Sequence, residues 1–105
     1  MTRNVFSWKG CVYGNPAHEL IAAYLAIDIQ KSGHWAEELL QKTRDVRSGR
    51  IPSWERTGNA YCLRLFPDHV EIEEDYGEKP GEAVRIPIND FEEAVAAWRD
   101  FADTG

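Results

Sequence analysis

Between residues 60 and 102 the apolar residues change period, and that change limits the fold more than any other feature of the chain. Val70 and Ile72 alternate with Glu71 and Glu73, which places the two pairs on opposite faces of a half-buried strand. Residues 60–66 form an earlier apolar arm, and Pro67-Asp68-His69 is turn chemistry between the arms, so a hairpin is predicted with its second arm running to about Asp75. Residues 83–88 make another strand, and Pro87 within it points to a sheet edge or a strand end because proline donates no ladder hydrogen bond. From Asn89 onward the spacing is helical. Phe91, Val95, Trp98 and Phe101/Ala102 recur on one face, and Asn89 with Glu92 has capping-box spacing.

Upstream, residues 32–48 read as a helix capped by Ser32 and stopped by Gly49. Glu37 and Glu38 lie early in it and Lys42, Arg44 and Arg47 late, which complements the helix dipole. Trp35, Leu39 and Val46 with Ala36, Leu40 and Thr43 form its inward stripe. Residues 4–13 are rich in β-branched and aromatic side chains and read as a first strand interrupted by Gly10. Residues 19–30 carry two signals. Asn15-Pro16 and the alanines favour a helix, while Ile21, Ala23, Leu25, Ile27 and Ile29 alternate strictly, with Tyr24, Asp28 and Gln30 opposite; the alternation favours a strand. Residues 52–59 and 76–82 read as loops. The expectation is an α+β fold: an antiparallel β-sheet of about five strands with two α-helices packed on one face, in the order ββαβββα, as a single domain over residues 1–105.

A hydrophobic share of 43%, with four each of Trp, Tyr and Phe, excludes a disordered chain. No apolar run approaches the ~18 residues of a membrane span, and residues 1–13 lack a signal-peptide core, so a cytoplasmic protein with no membrane partner is expected. The charge is split. Residues 1–66 hold 9 Lys/Arg against 6 Asp/Glu, whereas residues 67–105 hold 3 against 12. Six of those acids, Glu71, Glu73, Glu74, Asp75, Glu78 and Glu82, fall in one stretch that repels nucleic acid and attracts a basic surface. By itself such a run is a solvated face that favours solubility.

Catalytic candidates are few. His18, His34 and His69 have no metal-ligand spacing, no glycine-rich phosphate loop is present, and no cofactor is expected. Cys11 and Cys62 read as small buried hydrophobes in strands. The adjacent carboxylates Glu73-Glu74-Asp75 lie along a strand whose neighbours point to opposite faces, which gives no acid–base dyad. A non-enzymatic binding protein is therefore expected, with a small-molecule enzyme using a pocket near Cys62 and His69 as the weaker alternative. Trp35 and Trp98 read as core. Trp54, in a polar loop, either plugs the sheet end or stands partly exposed beside the acids, where an aromatic ring serves as a binding anchor.

Three stretches carry a family resemblance: Gly33-His34-Trp35 opening a helix with Glu37-Glu38; Ser53-Trp54-Glu55-Arg56 followed by Gly58-Asn59 and Tyr61; and Asp90-Phe91 with Ala96-Ala97-Trp98-Arg99-Asp100-Phe101. Together they resemble the small bacterial YacL family, and they are similar to acidic immunity proteins encoded beside contact-dependent growth-inhibition and other polymorphic toxins. The resemblance covers residues 22–101, and in YacL-like sequences the stretch matching residues 23–29 alternates like a strand. It implies a cytoplasmic protein that binds the C-terminal domain of a cognate toxin, a nuclease with a basic cleft, and blocks it. The expected binding surface is Glu71, Glu73, Glu74, Asp75, Tyr76 and Glu78 with Trp54. The alternative is a YacL-like housekeeping interaction module, in which the acids form a solubility or self-association face.

Overall fold

The computed structural model describes residues 6, 8–12, 14–58, 60–74 and 83–104. Its elements run α1 (Pro16–Tyr24), a π-helical turn (Leu25–Ile29), α2 (Gly33–Arg47), β1 (Trp54–Thr57), β2 (Tyr61–Leu65), β3 (His69–Glu74), β4 (Val84–Pro87) and α3 (Ile88–Thr104). The α+β class holds. Among the described residues, however, the sheet has four strands rather than five, and three α-helices replace the expected two, so the order ββαβββα is not the one observed.

The largest correction falls on residues 19–30, which are helical. The Asn15 side chain accepts from Ala17 N at 2.9 Å and His18 N at 3.1 Å, and Pro16 supplies a first turn that needs no donor. Ile21, Leu25 and Ile29 belong to the alternating set, yet they are also spaced by four, and they are buried on one helical face. Tyr24 and Asp28, assigned above to the polar side, are buried with them, whereas Ile27 is 41% exposed. Alanines made the alternation look stricter than it is, because so small an apolar side chain tolerates either side.

Residues 8–11 form a turn closed by Cys11 N on Trp8 O at 2.9 Å, and no strand occurs among the described part of residues 4–13. The aromatic content has a different use. Trp8 is buried, and Phe6 packs edge-on against Trp98 with ring centroids 4.8 Å apart.

The four strands form an antiparallel meander in sequence order. Pro52 and Gly58 crowd the four residues of β1 into what looks like loop, but pairing with β2, from Trp54↔Leu65 to Thr57↔Cys62, makes them a strand. The predicted hairpin is β2–β3, and β4 is an edge strand ending on Pro87. Leu63, Leu65, Val70, Ile72 and Ile86 face the helices and share a core with Leu39, Leu40, Val46, Phe91, Val95 and Trp98. α2 packs along α3, and α3 rests on β3 and β4. α3 begins at Ile88, directly after Pro87, so Asn89 lies inside its first turn and not at the cap. Glu92 instead reaches across to Arg47 at 2.7 Å and Arg44 at 3.4 Å, joining α3 to α2. Trp35 is not core: it is 43% exposed at the start of α2.

Candidate functional site

Two polar surfaces lie on opposite sides of the sheet. On the side away from the core, register aligns Glu55, Arg64, Glu71 and Arg85 in one row across the strands, with Thr57, Cys62 and Glu73 in the next. Glu71 and Glu73 share this outward face, as their alternation predicts. They do not form a purely acidic patch. Arg64 contacts Glu55 at 3.2 Å, Glu73 at 3.1 Å and Glu71 at 3.9 Å, so charge alternates along the row. His69 stacks on Phe66, with centroids 4.8 Å apart, and sits between Asp68 at 2.6 Å and Glu71 at 3.3 Å. The hydrogen bond with His69 holds the Asp68 carboxyl below the usual carboxylate range.

Glu74 is exposed at the end of β3, opposite Tyr61. Asp75, Tyr76 and Glu78 lie outside the described residues, as does the loop expected over residues 76–82. Trp54 is half-buried against the core, on the face opposite Glu71 and Glu73, so the sheet separates this ring from those two acids.

Cys62 and His69 do not meet. Cys62 pairs with Glu73, four residues along β3 from His69, about 13 Å at the rise of a strand. Burial pushes the Cys62 thiol up, and although the Thr57 hydroxyl it accepts works against this, the thiol's donation to Glu55 at 3.5 Å adds to it. A protonated thiol is a poor nucleophile. Cys11 is half-buried beside a turn, not in a strand. His18 is buried, with Nδ1 accepting from Val12 N at 2.8 Å and Nε2 3.6 Å from Asp90, which ties the segment before α1 to α3. Among the described residues no group of three or more His, Cys, Asp or Glu is placed to hold a metal ion, and no helix is long and apolar enough to cross a membrane.

The second surface is a cleft of about 480 Å³ bounded by residues 28–32, Trp35 and Arg56. The π-helical turn shifts the phase of the helix and carries Asp28 inward. There its two oxygens accept from Ala60 N at 2.9 Å and Tyr61 N at 3.1 Å, anchoring the start of β2. Gly58 makes the approach possible, since a Cβ at that position would run into Asp28 Oδ2 and stand 3.0 Å from Arg56 Nη1. Gln30 ends the turn at φ 59°, ψ −160°, a region that side chains strongly disfavour. Its carbonyl accepts from Trp98 Nε1 at 2.7 Å, which docks the turn on α3.

Arg56 enters from β1, with its guanidinium 4.9 Å from the Trp35 ring centroid. Arg56 Nη1 and the Tyr24 hydroxyl are both buried and lie against each other, outside good hydrogen-bond geometry and with no other partner among the described residues. Burial pushes the Tyr24 hydroxyl up to about 12, with the charge and the close N–H approach of Arg56 pulling the other way. Lys31 lies on the rim, its ammonium 4.8 Å from the centroid of Phe101.

Residues from three separate stretches of the chain meet here: Trp35, then Arg56, Gly58 and Tyr61, then Trp98 and Phe101. Asp28 and Tyr24 were missed because a strand would have turned them outward. Their spacing of four, in phase with Ile21, was the available signal. The chain matches no protein-family model, no curated protein and no solved structure. What the fold defines is an α+β domain with a four-stranded antiparallel meander and a π-helical turn docked against its last helix.

Proposed function

We propose that the chain is an immunity-type protein that binds the C-terminal domain of a cognate toxin, a nuclease with a basic cleft, through the acidic surface leading from β3 into residues 75–82. The observation that supports this most is where compensation ends. Arg64 offsets Glu71 and Glu73, whereas the exposed Glu74 at the strand end has no ion-pair partner among the described residues, and the sequence runs on through Asp75, Glu78 and Glu82 against the single base Lys79. An acidic protein of this kind is steered to a basic cleft and occludes it, with an association rate that falls as salt rises. Co-expression with the toxin domain encoded by the neighbouring gene tests the reading. Rescue of growth and co-purification are expected, and failure of both overturns it. Replacing Glu74, Asp75 and Glu78 by Lys should raise the Kd at least about tenfold. Unchanged binding would reject the acidic surface while leaving the immunity assignment standing.

The row Glu55–Arg64–Glu71–Arg85 supports a second reading, a self-associating interaction module. Its alternating charges become complementary to themselves under a two-fold rotation parallel to the strands. Sedimentation should then show a dimer that Arg64→Glu dissociates; a monomer at all concentrations rejects it.

A further inference from the structure

The cleft beside the π-helical turn holds features that packing alone does not require. Gln30 occupies a backbone region suited to glycine, and strain of this kind collects at ligand sites. Arg56 Nη1 is buried against the Tyr24 hydroxyl with no carboxylate paired to it among the described residues, although Asp28 is close enough for both to crowd Gly58. The oxygens of Asp28 are already committed to Ala60 N and Tyr61 N. Among the charged groups lining the cleft, Lys31 and Arg56 stand against Asp28 alone, leaving one positive charge in excess.

The start of α2 adds to that field. Its first turn contains no acidic residue, Glu37 and Glu38 falling in the second, so the positive end of a 15-residue helix lies where Ser32 and Trp35 line the cleft. Ser32 Oγ accepts from Trp35 N at 3.2 Å, which leaves its hydroxyl hydrogen to donate. The guanidinium of Arg56, set over the Trp35 ring, lines the cleft; its Nη1 is buried, so a carboxylate would meet its remaining N–H groups. The cleft is open to solvent, and the half-exposed indole supplies an apolar wall.

We infer that this cleft binds a small organic molecule through a single carboxylate, held by Arg56 and Lys31, with the Ser32 hydroxyl as a further donor and Trp35 against the apolar part. The excess of one positive charge favours a monoanion over a dianion such as phosphate. No catalytic step is implied, since the cleft presents no nucleophile beside a base. The site lies on the core side of the sheet, behind Glu71 and Glu73, and its carboxylate binding does not rest on the toxin reading.

Benzoate is a suitable probe for the full-length protein, followed by the indole N–H resonance of Trp35 assigned with Trp35→Phe. A saturable shift is expected, with a Kd of about 1 mM or tighter. Arg56→Gln should weaken binding at least about tenfold and Lys31→Gln about threefold, while Lys42→Gln on α2, outside the cleft, leaves it unchanged. Lys31 is exposed on the rim, so its variant keeps the test valid should Arg56→Gln fold poorly. Absence of a saturable shift at tens of millimolar, or equal binding of neutral benzamide, overturns the inference. So does tighter binding of inorganic phosphate, or insensitivity to the Arg56 and Lys31 substitutions.

Discussion

The outer face of the sheet and the cleft beneath it use the same kinds of side chain under opposite conditions. On the outer face one arginine, Arg64, touches three carboxylates, and all four side chains remain within reach of water. In the cleft, Asp28 is buried and spends both oxygens on backbone donors, while behind it Arg56 Nη1 and the Tyr24 hydroxyl are buried against each other. Hydrated ion pairs contribute little because solvent and side-chain entropy offset most of the attraction. Buried polar groups carry their full desolvation cost, so every partner gained or lost is felt. The smaller number of charges in the cleft therefore holds more of the free energy.

That contrast is most exposed to test at Asp28. Asp28→Ala leaves Ala60 N and Tyr61 N buried without their acceptor, and urea denaturation should show a loss of about 3–5 kcal/mol. A cost near that of an exposed ion pair would erase the distinction between the two surfaces. Gly58→Ala should be damaging for a related reason, because its methyl group displaces the same carboxylate.

Tyr24 gives the next largest effect and a pH signature. Its folded pKa of about 12 lies above the ordinary 10.0, so the unfolded chain ionises first as pH rises. The stability is intact below pH 10 and declines between pH 10 and pH 12, by about 3 kcal/mol in total. Chemical denaturation across that range should show the decline in the native chain and lose this component in Tyr24→Phe. Equal alkaline profiles would mean that the hydroxyl is solvated.

Gln30→Gly should raise stability by about 1 kcal/mol through relief of the left-handed backbone, read as a shift in the denaturation midpoint. Destabilisation would show that the Gln30 side chain, which donates to Ile27 O at 3.2 Å, outweighs the strain. The smallest change belongs to the outer face. Arg64→Gln should cost less than about 1 kcal/mol, and less still in high salt. A loss as large as that at Asp28 would break the comparison from the other side.

Legibility in the sequence followed how local each determinant is. The β2–β3 hairpin, the Ser32 cap with α2 behind it and the buried stripe of α3 all rest on periodicity and turn chemistry within a few residues. The α1–π segment was misread because Ile21, Leu25 and Ile29 satisfy a period of two and a spacing of four alike. A tertiary contact decides between them: Asp28 meets the backbone of β2 only if the chain is helical there and shifts phase at the π turn. β1 was hidden for a similar reason, since four residues between Pro52 and Gly58 become a strand only when β2 supplies the ladder.

The candidate surfaces divide along the same line. The sequence by itself determined the α+β class, the outward face of Glu71 and Glu73, and the acidic excess of the last third, because alternation and charge are properties of neighbouring residues. Only the tertiary structure decided that Arg64 offsets those two acids and that Trp54 lies behind the sheet from them. It also decided that Asp28, Trp35, Arg56 and Trp98 gather around one turn. Residues so far apart in the chain share no local pattern; core packing and strand register bring them together.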